Sequence, residues 1–325
     1  MIDRKVELAI FTGNRCMIPL VTDDITLEWE RQGSPGKLEF TVVKDEHLSF
    51  PEGAVVRLTV DDKVIFKGFV FEKSRDREQH ISVLAYDQLR YFKNSDTFVV
   101  ENQTASDFLR FIAKQFFLKT GEIEDTGFVI EQQILDNKTL FDAVQDLLDL
   151  TLINTGRLFV LYDDGGKICL KEVESLKSNL LLCNETVENF DYTSSIEEMV
   201  NTVKYTRSNE TNTQTQDEDV LLAYDEESIA KYGVLQHIET GTFSENTDFA
   251  TVAKQILELN NRVQRKLSIS GALGDTSIRG GSSVFIDMHL GDQIVRWRAM
   301  VERVTHIFEN GHHYMDLDVS GKGLR

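Results

Sequence analysis

Cysteine and proline are both scarce, three of each in 325 residues. Cys16, Cys169 and Cys183 are odd in number and form no CxxC pair, which argues against a disulfide framework and against a zinc site. No run of about 18 apolar residues occurs, so no membrane-spanning helix is expected. The first fifteen residues carry Asp3, Arg4, Lys5 and Glu7 and hold no apolar segment long enough for a secretion signal, which points to synthesis in a reducing cytoplasm. Basic clusters are missing too. Against 54 Asp and Glu stand 35 Lys and Arg, and the net charge of -19 repels a nucleic-acid backbone on average, so no specific nucleic-acid binding is expected. The GxSxG elbow, the HExxH zinc helix and the GxxxxGK[ST] phosphate loop are all absent, which removes the commonest hydrolase and nucleotidase readings.

What is present is strand periodicity, interrupted once by helix periodicity. Between 6 and 85, short alternating segments such as 25–29, 38–42 and 55–60 read as antiparallel strands. Asp61 and Asp62 sit where a tight hairpin is expected, and Gly68 interrupts the returning strand at a bulge or a close approach. Thr104 is placed to cap a helix carrying Phe108, Leu109, Ile112, Ala113 and Phe116. Thr139 is placed to cap a second, with Leu140, Ala143, Val144, Leu147 and Leu148 on one stripe and Gly156 as its stop. Segments 157–162 and 167–171 then flank a turn at 163–166. From 180 onward strands return, interrupted by 208–219, which contains no apolar residue and reads as a mobile surface loop, and by a helix at about 248–263. The expected architecture is mainly β with an α+β insert: a first β-barrel-like domain over 1–95, an α+β helical domain over 96–180, and a second β-barrel-like domain with an inserted helix over 181–325.

Candidate chemistry is thin. His289, His306, His312 and His313, with Glu302 and Asp316, offer metal-ligand types, and strand alternation allows Glu302 and His306 to share a face. The turn at Asn310 and Gly311 favours surface histidines instead, without a closed ligand set, so neither metal nor cofactor is expected. The pairs Asp23-Asp24, Asp61-Asp62 and Asp163-Asp164 lie beside turns, where solvated carboxylates are ordinary. Arg279 with Gly280 and Gly281 has the composition of an anion nest. No helix start follows it, and a strand-to-strand turn is the simpler reading. In LAYDQLRYFKN (84–94), Asp87 and Arg90 stand three apart between Tyr86 and Tyr91, spaced for a cap or an ion pair at a corner rather than for catalysis.

Taken in order, Trp29 with Gly33 and Pro35, Phe66-Lys67-Gly68, the run Tyr86, Asp87, Gln88, Leu89, Arg90 and Tyr91, the helix start at Thr104, 228–233 ending in Gly233, Arg279-Gly280-Gly281, and Val304-Thr305-His306 span most of the chain. That order and spacing resembles the baseplate hub proteins of contractile phage tails, the XkdQ/YqbQ type of defective prophages and tail-like bacteriocins, with a likeness to late-control-protein hubs. The resemblance implies a structural protein and not an enzyme. It implies a homotrimer whose two β-barrel-like domains per chain form a pseudo-sixfold ring, adapting the sixfold tail tube to the threefold spike. The implied partners are the tail tube protein, the spike protein, the tape-measure protein and other baseplate proteins. The chain would be made in the bacterial cytoplasm and assembled into the baseplate of a virion or tail-like particle. Some hubs continue into a cell-wall hydrolase, whereas this sequence stops at 321–325 after an expected strand, so lytic activity is not carried over. Two alternatives stand beside this reading: a tail-tip cell-wall hydrolase, and a glycan-binding tail module on a β scaffold, which would want exposed aromatics beyond Trp29 and Trp297.

Overall fold

The computed structural model describes residues 4–22, 24–207, 220–241, 249–291 and 294–321. The expected surface loop at 208–219 lies outside the described residues, as does Asp23. The first strands are β1 (Val6–Thr12), β2 (Arg15–Met17), β3 (Ile25–Glu30), β4 (Lys37–Val43), β5 (Val55–Val60), β6 (Lys63–Arg75) and β7 (His80–Tyr86). Alternation explains them: Ile25, Leu27 and Trp29 of β3 point inward, as do Leu38, Phe40 and Val42 of β4. Asp61 and Asp62 take φ of 48° and 64°, the left-handed pair that a two-residue turn between twisted strands requires. Gly68 marks a close approach, since a Cβ there would sit 2.2 Å from the Tyr86 carbonyl oxygen. The bulges of β6 fall elsewhere, at Ile65 against β5 and between Val70 and Glu72 against β7.

After a short 3-10 helix (Gln88–Lys93) come β8 (Ser95–Thr104), α1 (Ala105–Gln115), β9 (Thr120–Ile123), β10 (Val129–Thr139), α2 (Leu140–Thr155), β11 (Phe159–Asp163) and β12 (Ile168–Glu172). Both helices start where a threonine caps them: Thr104 accepts from the Asp107 amide and Thr139 from the Asp142 amide. Gly156, at φ 72°, ends α2. These elements bury a core of their own, including Phe92, Phe108, Leu135, Leu140 and Leu147. The ribbon of β8 and β10 is a finding that periodicity did not provide. Only a few residues, Phe98, Val100, Ile130 and Leu135 among them, are buried in it, among many polar ones.

The remainder comprises β13 (Lys177–Cys183), β14 (Asn189–Ser195), β15 (Thr202–Arg207), β16 (Val220–Tyr224), α3 (Glu226–Tyr232), β17 (Gln236–Gly241), α4 (Phe249–Asn260), β18 (Gln264–Leu273), β19 (Ser283–His289), β20 (Ile294–Glu309) and β21 (His312–Ser320). Strands β16, β15 and β17 form a separate small sheet, with Val203 packed against Ala253 and Ile256 of α4.

One large sheet joins the two β regions, because β20 pairs with β21 and β19 on its own side and with β3 of the first region. Its core is continuous from Leu8 to Val319. The sheet path runs from β14 to β2 and stays open, so the barrel-like expectation is corrected: neither region closes. The outer edge of β3, which closure of the first region would need, is occupied by β20.

Two strand sets within that sheet have the same order in space and in sequence, β3-β4-β7-β6-β5 and β14-β18-β21-β20-β19, all antiparallel. The long strand of each carries a bulge at the same place, between Val70 and Glu72 in β6 and between Val301 and Arg303 in β20. Backbone bonds repeat as well. Val70 donates to Ala54 and accepts from Gly53 at 2.9 and 2.7 Å, as Val301 donates to Ser282 and accepts from Gly281, both at 2.8 Å. The flanking strands break the likeness, β1 being antiparallel to β5 and β13 parallel to β19.

Candidate functional site

The residues singled out from sequence converge on a seam where three segments meet: the end of β3 with its turn, the start of the 3-10 helix, and the β11–β12 turn, all clasped by the loop before β19. Asp87 is its centre. Its backbone amide donates to the Gly36 carbonyl at 3.1 Å. One carboxylate oxygen accepts from the Leu89 amide at 2.9 Å, capping the 3-10 helix, and the other accepts from the Gly36 amide at 2.8 Å. Only glycine fits at 36, because a Cβ would lie 2.3 Å from that carboxylate and 2.9 Å from the Trp29 ring. The positive φ of Gly33, 71°, and the fixed φ of Pro35 turn the chain into this position.

Asp163, at the end of β11, faces the same seam. Its carboxylate accepts from the Gly166 amide at 2.6 Å and from Gln88 at 3.4 Å, while the Gln88 side-chain oxygen accepts from the Lys119 amide at 2.9 Å. Both aspartates are buried, at 1% and 5% exposure, which corrects the solvated-turn reading of Asp163. Burial first, then the charge of Asp163, raises Asp87 well above the ordinary carboxylate range. Burial likewise pushes Asp163 up to about 6. The pair therefore keeps a proton toward neutral pH.

Arg279 closes the seam from the other side. It donates to the Asp163 carbonyl at 3.1 Å and to the Asp164 carboxylate at 3.4 Å, and its guanidinium lies 5.1 Å from the Trp29 ring centroid and 4.3 Å from that of Tyr162. Its charge is thus spent on fixed partners. Gly280 follows because the loop touches backbone there: a Cβ would meet Glu30 and Arg31 backbone atoms at 2.4 Å. Gly281, at φ 88°, packs on Val160. The gap lined by Trp29, Asp87, Asp163 and Arg279 has a volume of about 10 Å³, room for roughly one water.

Trp29 connects the seam to a second buried group. Its ring meets His306 edge-on at 5.1 Å. His306 and His313 are buried, correcting the surface-turn reading, and their Nδ1 and Nε2 atoms lie 2.9 Å apart. The tautomers follow from the partners. His306 Nε2 lies 2.9 Å from the Ile278 carbonyl and must donate to it, so His306 Nδ1 accepts and His313 Nε2 donates. His313 Nδ1 is left without a partner. Burial, then the neighbouring His313, lowers His306 to about 3, and burial lowers His313 to about 4, so both rings are neutral. Glu302 is engaged elsewhere, accepting from Arg31 at 2.6 Å and from Ser320, and Asp316 accepts from the Gly271 amide. His289 and His312 lie at strand ends. Among the described residues one cluster has metal-ligand geometry, Asp76, Glu78 and His80 at the β6–β7 turn, where Asp76 already accepts from the His80 amide and contacts its ring.

The other singled-out residues fall into two places. Leu89 is buried beside the seam, while Tyr86, Tyr91 and Arg90 gather on Phe71, with ring distances of 5.5 and 6.2 Å and the guanidinium at 5.4 Å. Asp87 caps and Arg90 stacks, and among the described residues no ion pair joins them. Gly233 is remote, ending α3 at φ 81°. Sequence reasoning passed over Gly36 and Tyr162. The paired Gly165 and Gly166 after Asp163 were the available signal, because a turn that tight draws its first carboxylate inward onto backbone amides.

Comparison with known proteins now adds a lineage. The family model described as YQBQ-like matches residues 25–320. The phage-like element PBSX protein XkdQ of Bacillus subtilis (strain 168) is 30% identical over 319 residues, covering 94% of each chain. Among solved structures, the prophage MuSo2 43 kDa tail protein from Shewanella oneidensis superposes with a TM-score of 0.71 at 11% identity, over 96% of this chain and 98% of that one. The E. coli c3393 protein superposes at 0.58 with 13% identity, over 97% of this chain and 76% of that one. It is described as a type VI secretion component structurally similar to the T4 bacteriophage tail proteins gp27 and gp5. The fold is that of tail proteins.

Proposed function

Because this chain belongs to the YQBQ-like family, we propose that it is the structural baseplate hub of a contractile phage tail or tail-like particle. In this reading three copies form a ring that adapts a sixfold tail tube to a threefold spike. One observation carries it: a single chain holds two strand sets of the same order and bulge position, joined edge to edge through β3 and β20. Three such chains offer six similar sets around a threefold axis, which is what a symmetry adaptor requires. The domain division is part of the proposal, with a first β region to 95, an α+β domain over 96–180 and a second β region over 181–325.

The mechanism is mechanical. The clasp of Asp87, Asp163 and Arg279 holds the first β region, the α+β domain and the second β region in fixed relation, so load applied at the spike reaches the tube without hinge motion. Tail tube, spike, tape-measure and other baseplate proteins are the partners, met after synthesis in the bacterial cytoplasm. At -19 per chain, three chains carry three times that, -57, a charge that discourages passing DNA from adhering wherever it faces the channel. Sedimentation of the purified chain with and without its spike protein tests this. A mass of three chains, alone or on the spike, supports the hub; a chain that stays monomeric and ignores the spike refutes it.

A further inference from the structure

The turn between β6 and β7 brings three metal-ligand side chains to one point outside the clasp. Asp76, Glu78 and His80 each offer a donor atom there, all within 4.8 Å of one another. His80 Nδ1 lies 2.9 Å from Asp76 Oδ2 and 4.0 Å from Glu78 Oε2. The backbone that carries them is fixed. The Asp76 amide donates to the His80 carbonyl at 3.1 Å, Gln79 takes φ of 68°, and the Lys44 amide, just past β4, donates to the Gln79 carbonyl at 3.0 Å.

A turn cap explains only part of this arrangement. Asp76 Oδ1 accepts from the His80 amide at 2.8 Å, which is ordinary turn chemistry, and that bond is the main reason the Asp76 carboxyl lies below its usual range. The same bond aims Oδ2 at the His80 ring, so Oδ2, Nδ1 and the Glu78 carboxylate surround a common centre. A tetrahedral cation with bonds of about 2.0–2.2 Å sets its ligands roughly 3.3–3.6 Å apart. The separations of 2.9 and 4.0 Å bracket that spacing. Glu78, with its side chain 80% exposed, has room to close the difference.

We propose that Asp76, Glu78 and His80 hold one divalent transition-metal cation of the Zn²⁺ class, with water in the fourth position. One imidazole nitrogen beside two carboxylate oxygens selects this class, because Mg²⁺ and Ca²⁺ take shells of six or more oxygens. The cation replaces the proton that His80 Nδ1 and the Asp76 carboxylate share, and the bond from the His80 amide to Asp76 becomes the outer contact that orients this ligand. Among the described residues the counterpart turn between β20 and β21 holds no such set: it is the two-residue Asn310-Gly311, flanked by Glu309 and His312. Metal therefore marks one of the two strand sets in each chain and pins the tip of its hairpin. The site is independent of the hub reading, since all three ligands come from one turn of one chain.

Calorimetric titration of the chelator-stripped chain with zinc chloride tests the site. One Zn²⁺ per chain is expected, with a rise in Tm of about 4 °C at a free concentration about a hundred times Kd. Co²⁺ in its place should give the intense visible absorption of a tetrahedral site. Glu78→Gln and His80→Ala should each weaken binding by at least the roughly 10–100-fold that loss of an outer-shell partner costs. Glu78 is exposed on a turn, so its variant keeps the fold. His289→Ala, at the end of β19, should bind as the parent chain does. Binding that survives either ligand variant, Ca²⁺ bound as tightly as Zn²⁺, or no binding at millimolar Zn²⁺ would each overturn the proposal.

Discussion

Replacing Asp87 with alanine removes the carboxylate that accepts from two buried amides at once. The Gly36 and Leu89 amides lose bonds of 2.8 and 2.9 Å, and with Asp87 at 1% exposure no bulk water reaches them. Each orphaned donor costs about 1–3 kcal/mol. Relief from holding a carboxyl beside Asp163 returns part of that, so a net loss of about 2–4 kcal/mol is expected. In thermal unfolding of the purified variant this is a fall in Tm of roughly 3–6 °C. Asp87→Asn should lose about half as much, because its oxygen still accepts one amide while its NH₂ group faces the other. A variant that unfolds within about 0.5 kcal/mol of the parent protein would refute the clasp, since surface-like substitutions behave that way.

Other consequences can be checked with the same assay. Gly280→Ala places a Cβ 2.4 Å from the backbone of Glu30 and Arg31, which two packed segments cannot both avoid, and a loss of about 2–3 kcal/mol is expected. The histidine pair and Asp163 act on acid stability with opposite signs. His306 and His313 are lowered to about 3 and about 4, so their contribution is present above the unfolded value near 6.5 and is lost as pH falls through that window. Asp163 is raised to about 6, so its contribution is complete below its unfolded value of about 3.9 and is lost as pH rises through 6. Urea midpoints from about pH 4 to 7 should therefore show a steeper acid loss in Asp163→Asn and a flattened one in His306→Phe; unchanged slopes in both would refute the assignment.

Local features were legible in the sequence because their causes are local. Thr104 and Thr139 announce their helices by capping chemistry and by the spacing of residues such as Phe108 and Leu147, and Asp61-Asp62 announces its turn by the φ it must adopt. Asp87 was readable as a cap for the same reason. What stayed hidden depends on partners far along the chain. The pairing of β3 with β20 joins residues more than 270 positions apart, and no local pattern of Trp29 or Val304 specifies it. The burial of His306 comes from Trp29 and the 274–282 loop, not from the Asn310-Gly311 turn beside it in sequence. The likeness of the two strand sets lies in register and bulge position, while the side chains differ, as Phe71 against Glu302 shows.

The most direct test of this account is an electron-microscopy map of the chain assembled with its spike protein. The account predicts a threefold ring in which each chain contributes two strand sets joined through β3 and β20. A chain that stays monomeric beside the spike, or an assembly with twofold contacts between identical edges, would contradict it.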